Sequence, residues 1–203
     1  MKLYYSPGAC SLSPHIVLRE AGLPFTLEKV DLKTKLTESG VDFRTVNPKG
    51  YVPALELADG AILTEGPAIV QYIADLVPSK KLAPIAGTLE RYRLVEWLNF
   101  ISTELHKSFS PLFNPKTPDA WKALVLELLR QRIDFVAKHL ETRPFLMGDA
   151  FCVADAYLFT VASWGKWVGI DISLWPALKS HTDRIADRPA VRAALVAEKL
   201  LKE

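Results

Sequence analysis

The sequence predicts a small α/β domain followed by a larger all-α domain. Three observations predict it. Between residues 2 and 77 the apolar positions switch between the two-residue period of a strand and the 3.6-residue period of a helix. Residues 78–87, PSKKLAPIAG, show neither period. From residue 88 onward the apolar positions recur at helical spacing, with no convincing strand. A first domain over 1–79, a linker over 80–87 and a second domain over 88–203 follow from this pattern.

Taken in order, residues 2–6 (KLYYS) form a short aromatic-rich strand. Leu12, Ile16 and Val17 then recur at helical spacing, and Gly22 stops the helix. Ser11 or Ser13 is its expected N-cap, with Pro14 in the first turn. Residues 25–31 (FTLEKVD) alternate like a strand, and residues 32–53 are polar, punctuated loop or irregular helix. ALELADGAIL reads as two strands joined at Asp59-Gly60, a strong hairpin signal. From Pro67, the stripe Ile69, Val70, Ile73, Ala74, Val77 marks a helix that Pro78 ends. Five further helices are expected over 88–110, 118–140, 153–168, 175–187 and 189–200.

Bulk properties exclude several classes of function. Of the 203 residues, 49% are hydrophobic and 24% charged, an ordinary globular composition. A net charge of +2 argues against a nucleic-acid or membrane-surface partner. No apolar run approaches the roughly 20 residues that span a bilayer. The start, MKLYYSPGAC, lacks the pattern of a secretory signal, so a cytoplasmic location is expected, where disulfides are rare. Cys10 and Cys152 cannot make a four-ligand zinc site, and His15, His106, His139 and His181 show no tight Cys/His spacing, so no metal is expected.

Three stretches of the first domain carry chemistry. Cys10, in SPGACSLSPH, sits where a strand gives way to a helix. The free N–H groups and dipole of a helix N-terminus favour a thiolate and lower a cysteine pKa below about 8.5. A buried free cysteine serving packing alone fits the same position. Val52-Pro53 enters a strand after a loop, where a cis bond would leave the Val52 backbone free to pair with an extended ligand. Glu65-Gly66-Pro67 marks a strand-to-helix junction. Its backbone N–H groups suit a carboxylate and Glu65 suits an ammonium, unless Glu65 only complements the helix dipole.

Together these features resemble the glutathione S-transferases, and closely the bacterial beta class. The motifs are YYSPGACS with Cys10, the Val52-Pro53 pair, the Glu65 turn, and LHKS at 105–108. The resemblance covers the whole chain. It implies a thioredoxin-like N-terminal domain, an all-helical C-terminal domain carrying the electrophile site and dimer contacts, and a homodimer. It also implies glutathione as cosubstrate with no prosthetic group, and a hydrophobic electrophile, with detoxification or reductive dehalogenation as outcomes. Cys10, Ser11 and His106 become the expected catalytic residues. Val52 would pair its backbone with the cysteinyl unit, Glu65 and the Gly66 backbone would hold the γ-glutamyl end, and Lys35 would meet the glycine carboxylate. His106 and Lys107 would line the cleft near the sulfur; without the resemblance they read as a solvated helix face. Asn99 and Glu104 would reach the partner subunit's site. Phe109, Phe113, Trp164 and Trp167 would line the hydrophobic site.

Two departures stand out. Gly66 replaces the Ser or Thr that many relatives carry after the acidic residue, and Cys152 begins the Cys152-Val153-Ala154-Asp155 helix start where the family has Ser or Thr. A thiol is a poor capping acceptor. Tyr5 is set aside as the thiolate stabiliser, because the beta-class likeness argues against it. Cys10 also allows a monothiol, glutaredoxin-like thiol transferase acting through a mixed disulfide, since Ser13 stands where a resolving cysteine would be. A non-catalytic carrier of hydrophobic ligands is the third reading.

Overall fold

A computed structural model describes residues 1–202. In chain order its strands and α-helices are β1 (Lys2–Tyr5), α1 (Leu12–Ala21), β2 (Thr26–Lys29), β3 (Ala54–Glu56), β4 (Ile62–Thr64), α2 (Gly66–Leu76), α3 (Leu89–Phe100), α4 (Lys107–Phe113), α5 (Asp119–Leu140), α6 (Val153–Ala162), α7 (Pro176–Ala186) and α8 (Pro189–Ala197). They form two compact units: Met1–Ala83 with the segment from Asp187 onward, and Pro84–Ala186.

The first unit is built on a sheet of order β2-β1-β3-β4. β1 runs parallel to β2 and antiparallel to β3, with Leu3 opposite both Leu27 and Leu55. Successive side chains along a strand face opposite sides, so Leu3 and Tyr4 feed two different apolar layers. Tyr4 joins a cluster with Val30, Phe43, Val52 and Ala54. Phe43 comes from a 3₁₀ turn (Phe43–Thr45) inside the expected loop, which explains how so polar a stretch contributes a fully buried ring. β3 and β4 form the hairpin read at Asp59-Gly60: Gly60 takes φ 84°, and the Asp59 carboxylate accepts the Ala61 N–H at 3.0 Å. Gly22 ends α1 in the left-handed conformation at φ 69°, where a side chain would be strained.

The division into units differs from the expected 88–203 domain. α8 packs on α1, burying Val191 and Ala194. Arg188 donates to both oxygens of Glu20 at 2.6 and 2.9 Å. A helical stripe says that a face is buried but not against which partner, so periodicity could not assign α8 to the first unit.

In the second unit, the stretch expected as one helix over 88–110 is α3 and α4 joined through a π-helical turn, Ile101–His106. Thr88 caps α3, its hydroxyl accepting from the Arg91 N–H at 3.3 Å. The core of the unit is α6, buried along its whole length from Val153 to Val161. Its start is a capping box in which the Asp155 carboxylate accepts the Cys152 N–H at 2.8 Å and the Cys152 sulfur faces the Asp155 N–H. The other carboxylate oxygen accepts from the Leu146 N–H at 2.8 Å and from His181 Nε2 at 2.9 Å. No helix among the described residues is long and apolar enough to cross a membrane.

Candidate active site

Cys10 sits in the turn before α1. The residue is half-buried, and its Sγ donates to the Val52 carbonyl at 3.2 Å. The Cys10 and Ser11 backbone N–H groups lower the thiol pKa, as a helix start should, but burial outweighs them and pushes it up to about 12. This corrects the expectation of a thiolate. Taking charge out of water costs more than two N–H donors return. A sulfur hydrogen-bonded to a carbonyl must also carry its proton.

Ser11 is corrected as well. It stands at the N-cap position with helical φ −64° and makes no side-chain cap. Its hydroxyl is fully buried and bound to Ser6, accepting the N–H at 3.1 Å and donating to the carbonyl at 3.2 Å. It ties β1 to α1 and has no lone donor to offer a ligand sulfur. Ser13, the alternative cap, has a buried hydroxyl with no hydrogen-bond partner. Burial and the neighbouring Glu198 charge raise the Tyr5 phenol.

The Val52-Pro53 peptide is cis. Among the hydrogen bonds of the described residues none uses the Val52 N–H, so that donor is available to an added strand. Lys35, at φ 64°, donates its ammonium to the Gly50 carbonyl at 3.0 Å. Glu65 stands at the N-cap position of α2 with φ 68° and makes no side-chain cap, a conformation costly for a side chain-bearing residue and typical of functional positions. Its carboxylate is 68% exposed and paired with Lys49. Gly66 follows at the helix start, where an added Cβ would meet only Pro53 Cγ at 4.0 Å. Space therefore does not explain the missing hydroxyl.

In the second unit, the π-helical turn ends on His106. Such turns re-aim a side chain within an otherwise continuous helix and recur at functional sites. His106 Nδ1 shares a hydrogen bond with the Tyr157 hydroxyl at 2.7 Å, and its ring meets Trp164 edge-on at 4.8 Å. Trp164 packs on Phe109 and Phe113 at 5.5 and 6.0 Å, and Phe113 on Trp167 at 6.5 Å. The four expected aromatics are thus one assembly joined to His106. They differ in access: Phe109 and Trp164 are buried, whereas Phe113 and Trp167 are about half exposed. Lys107 is exposed. Asn99 is exposed too, its carbonyl accepting from Thr103. Glu104 is bound within its own chain by Arg132 at 3.0 Å.

Sequence reasoning missed three residues. Lys49 holds Glu65, Tyr157 holds His106, and Glu198 of α8's C-terminal flank accepts the Gly8 N–H beside Cys10 at 2.8 Å. Lys49 lies inside the NPKGYVP stretch that the sequence singled out only for its turn. Tyr157 and Glu198 carried no local signal.

Comparison with known proteins fits this geometry. The family models described as glutathione S-transferase, N-terminal domain and C-terminal domain match residues 8–76 and 100–189. Glutathione S-transferase GstA of Escherichia coli O157:H7 is 48% identical over 200 residues, covering 98% of this chain and 100% of the relative. BphK, a bacterial GST solved as a ternary complex, superposes with a TM-score of 0.97 at 61% identity, covering 98% of this chain and 100% of its own. The beta-class enzyme of Sphingomonas chungbukensis has a TM-score of 0.96 at 51% identity, covering 99% and 100%. The chain belongs to the glutathione S-transferase family, among the bacterial beta-class enzymes.

Proposed function

We propose that the protein conjugates glutathione to aromatic electrophiles and that the attacking sulfur is glutathione's own, with Cys10 remaining a thiol. The observation that carries this reading is the placement of the Cys10 Sγ on the Val52 carbonyl at 3.2 Å, in agreement with burial pushing the thiol up to about 12. The first unit supplies the glutathione groups: the Val52 N–H for the cysteinyl unit, Glu65 and the Gly66 N–H for the γ-glutamyl end, and Lys35 for the glycine carboxylate. His106, Lys107 and the Phe113 and Trp167 faces are assigned to the electrophile on the family's pattern. When the Tyr157 hydroxyl donates to Nδ1, His106 carries its proton on Nε2 and presents it as a donor to a developing thiolate. The glutathione thiol releases its proton to solvent, the thiolate forms a carbon–sulfur bond with the electrophile, and the leaving group departs with the bonding pair.

The thiol-transferase reading is weaker, because a thiol with so high a pKa is almost wholly protonated near neutrality and attacks disulfides slowly. Activity in the cytoplasm, where glutathione is kept reduced, suits the conjugating reading. A homodimer is supported by α5, where Trp121, Leu124, Leu128 and Phe135 form an exposed apolar stripe at helical spacing. Light scattering is expected to give twice the chain mass, with Asn99 and Glu104 then reaching the second copy; a monomer removes those roles.

Glu65→Gln tests the glutathione site. Hydrogen bonds to charged groups contribute about 1.5–3 kcal/mol, so glutathione affinity is expected to fall roughly ten- to hundredfold by titration calorimetry. Unchanged affinity in a folded variant returns Glu65 to complementing the helix dipole.

A further inference from the structure

Lys49 is not adventitiously near Glu65. It sits on a braced turn. Asn47 is buried, its carboxamide oxygen accepting the Lys49 N–H at 3.2 Å and its nitrogen donating to the Tyr51 carbonyl at 2.7 Å. Gly50, at φ 65°, packs against the Lys35 chain and receives the Lys35 ammonium on its carbonyl. From this turn the Lys49 ammonium reaches both residues of the β4–α2 junction, donating to Thr64 Oγ1 at 2.9 Å and pairing with Glu65 Oε1. A primary ammonium therefore already stands on the carboxylate that the α-ammonium of glutathione needs.

We propose that Lys49 is a specificity-determining residue of the glutathione site: its ammonium holds the Glu65 carboxylate until the α-ammonium of the ligand displaces it. The proposal rests on the reading of Glu65 as the ammonium acceptor. Exchange of one ammonium for another leaves the Glu65 charge paired before and after binding, so glutathione's gain at Glu65 is reduced by the pair it must break. A ligand without an α-ammonium leaves Lys49 in place and gains nothing at Glu65. The same pairing shields such a ligand from a bare carboxylate, so Lys49 narrows the distance between the two kinds of ligand. Both side chains are substantially exposed, at 44% and 68%, which keeps the pair weak enough to exchange.

The test is titration calorimetry of wild type, Lys49→Gln and Lys49→Arg with two ligands: reduced glutathione, and glutaryl-cysteinyl-glycine, which has the same length but no α-amino group. Exposed pairs of this kind shift equilibria by about two- to fivefold. Lys49→Gln is expected to bind glutathione that much more tightly and the deamino ligand more weakly, while Lys49→Arg stays near wild type. Weaker binding of both ligands by Lys49→Gln would mean that Lys49 touches the ligand directly and overturns the proposal. Unchanged binding of both would also overturn it, leaving the pair a surface contact. Glu65→Gln separates this from the parent reading. If it no longer distinguishes the two ligands, Glu65 is the acceptor and only the Lys49 arm is in question; if it binds glutathione like wild type, the Glu65 reading itself fails.

Discussion

Asp155→Ala is expected to lower the unfolding free energy by about 3–5 kcal/mol, because three buried donors lose their acceptor at about 1–3 kcal/mol each. The carboxylate is wholly buried and accepts three hydrogen bonds, from the Cys152 N–H, the Leu146 N–H and His181 Nε2. Truncation strips all three donors of their acceptor without admitting water. It also removes half of the capping box that starts α6, and the Cys152 sulfur is a poor substitute for the other half. His181 suffers most: its Nδ1 is already buried with no hydrogen-bond partner, so the ring would lose its anchor. For a chain of this size the midpoint is expected to fall by roughly 10 °C in a thermal scan followed by circular dichroism. Asp155→Asn, which keeps one carbonyl acceptor, should fall between. A truncated variant within about 1 kcal/mol of wild type would show that the network is not what holds α6.

Glu198→Ala is the second large effect, in the other unit. Glu198 lies just past α8, with a side chain fully out of solvent. It accepts from the Gly8 N–H at 2.8 Å and from His15 Nδ1 at 2.8 Å. Arg19 Nε donates to His15 Nε2 at 2.9 Å, which leaves the Nδ1 side of the ring to Glu198. One carboxylate thus fastens the last helix to α1 and to the turn that carries Cys10. Its loss is expected to cost about 2–4 kcal/mol, because two buried donors lose their acceptor, read by urea denaturation, and to weaken glutathione binding because Gly8 loses an acceptor two residues from Cys10. Glu198→Gln should retain part of both. Wild-type stability and affinity in Glu198→Ala would place the hold on the turn elsewhere.

These two carboxylates mark where the sequence stops being readable. The β1-α1-β2 start, the Asp59-Gly60 hairpin and the α2 stripe were legible because each depends on residues within a few positions of one another. The candidate site was legible only in part: Val52-Pro53 and Glu65-Gly66 are short local signatures, and Phe109, Phe113, Trp164 and Trp167 lie together beside His106, but Tyr157, which holds the His106 ring, was not among them. What escaped was non-local. The destination of α8 is decided by Glu198 meeting Gly8 and His15, nearly two hundred positions away. The Cys10 thiol was misjudged because its backbone donors are adjacent in sequence whereas the groups that exclude water are not. Ser11 stands at the N-cap position but does not cap with its side chain, because a buried hydroxyl takes the nearest unpaired backbone, here Ser6. The π-helical turn that aims His106 has no periodic signature, since it is one extra residue in an otherwise regular helix.

The central claim is that the sulfur that attacks is glutathione's and that Cys10 is a bystander thiol. The most direct measurement is the rate of glutathione conjugation to an aryl halide by Cys10→Ala, alongside calorimetric binding of glutathione to the same variant. The account predicts glutathione binding near wild type and a conjugation rate within about tenfold of it, the scale of one lost neutral hydrogen bond near the reacting sulfur. A folded Cys10→Ala that binds glutathione normally and conjugates nothing would contradict it, making Cys10 indispensable to the reaction.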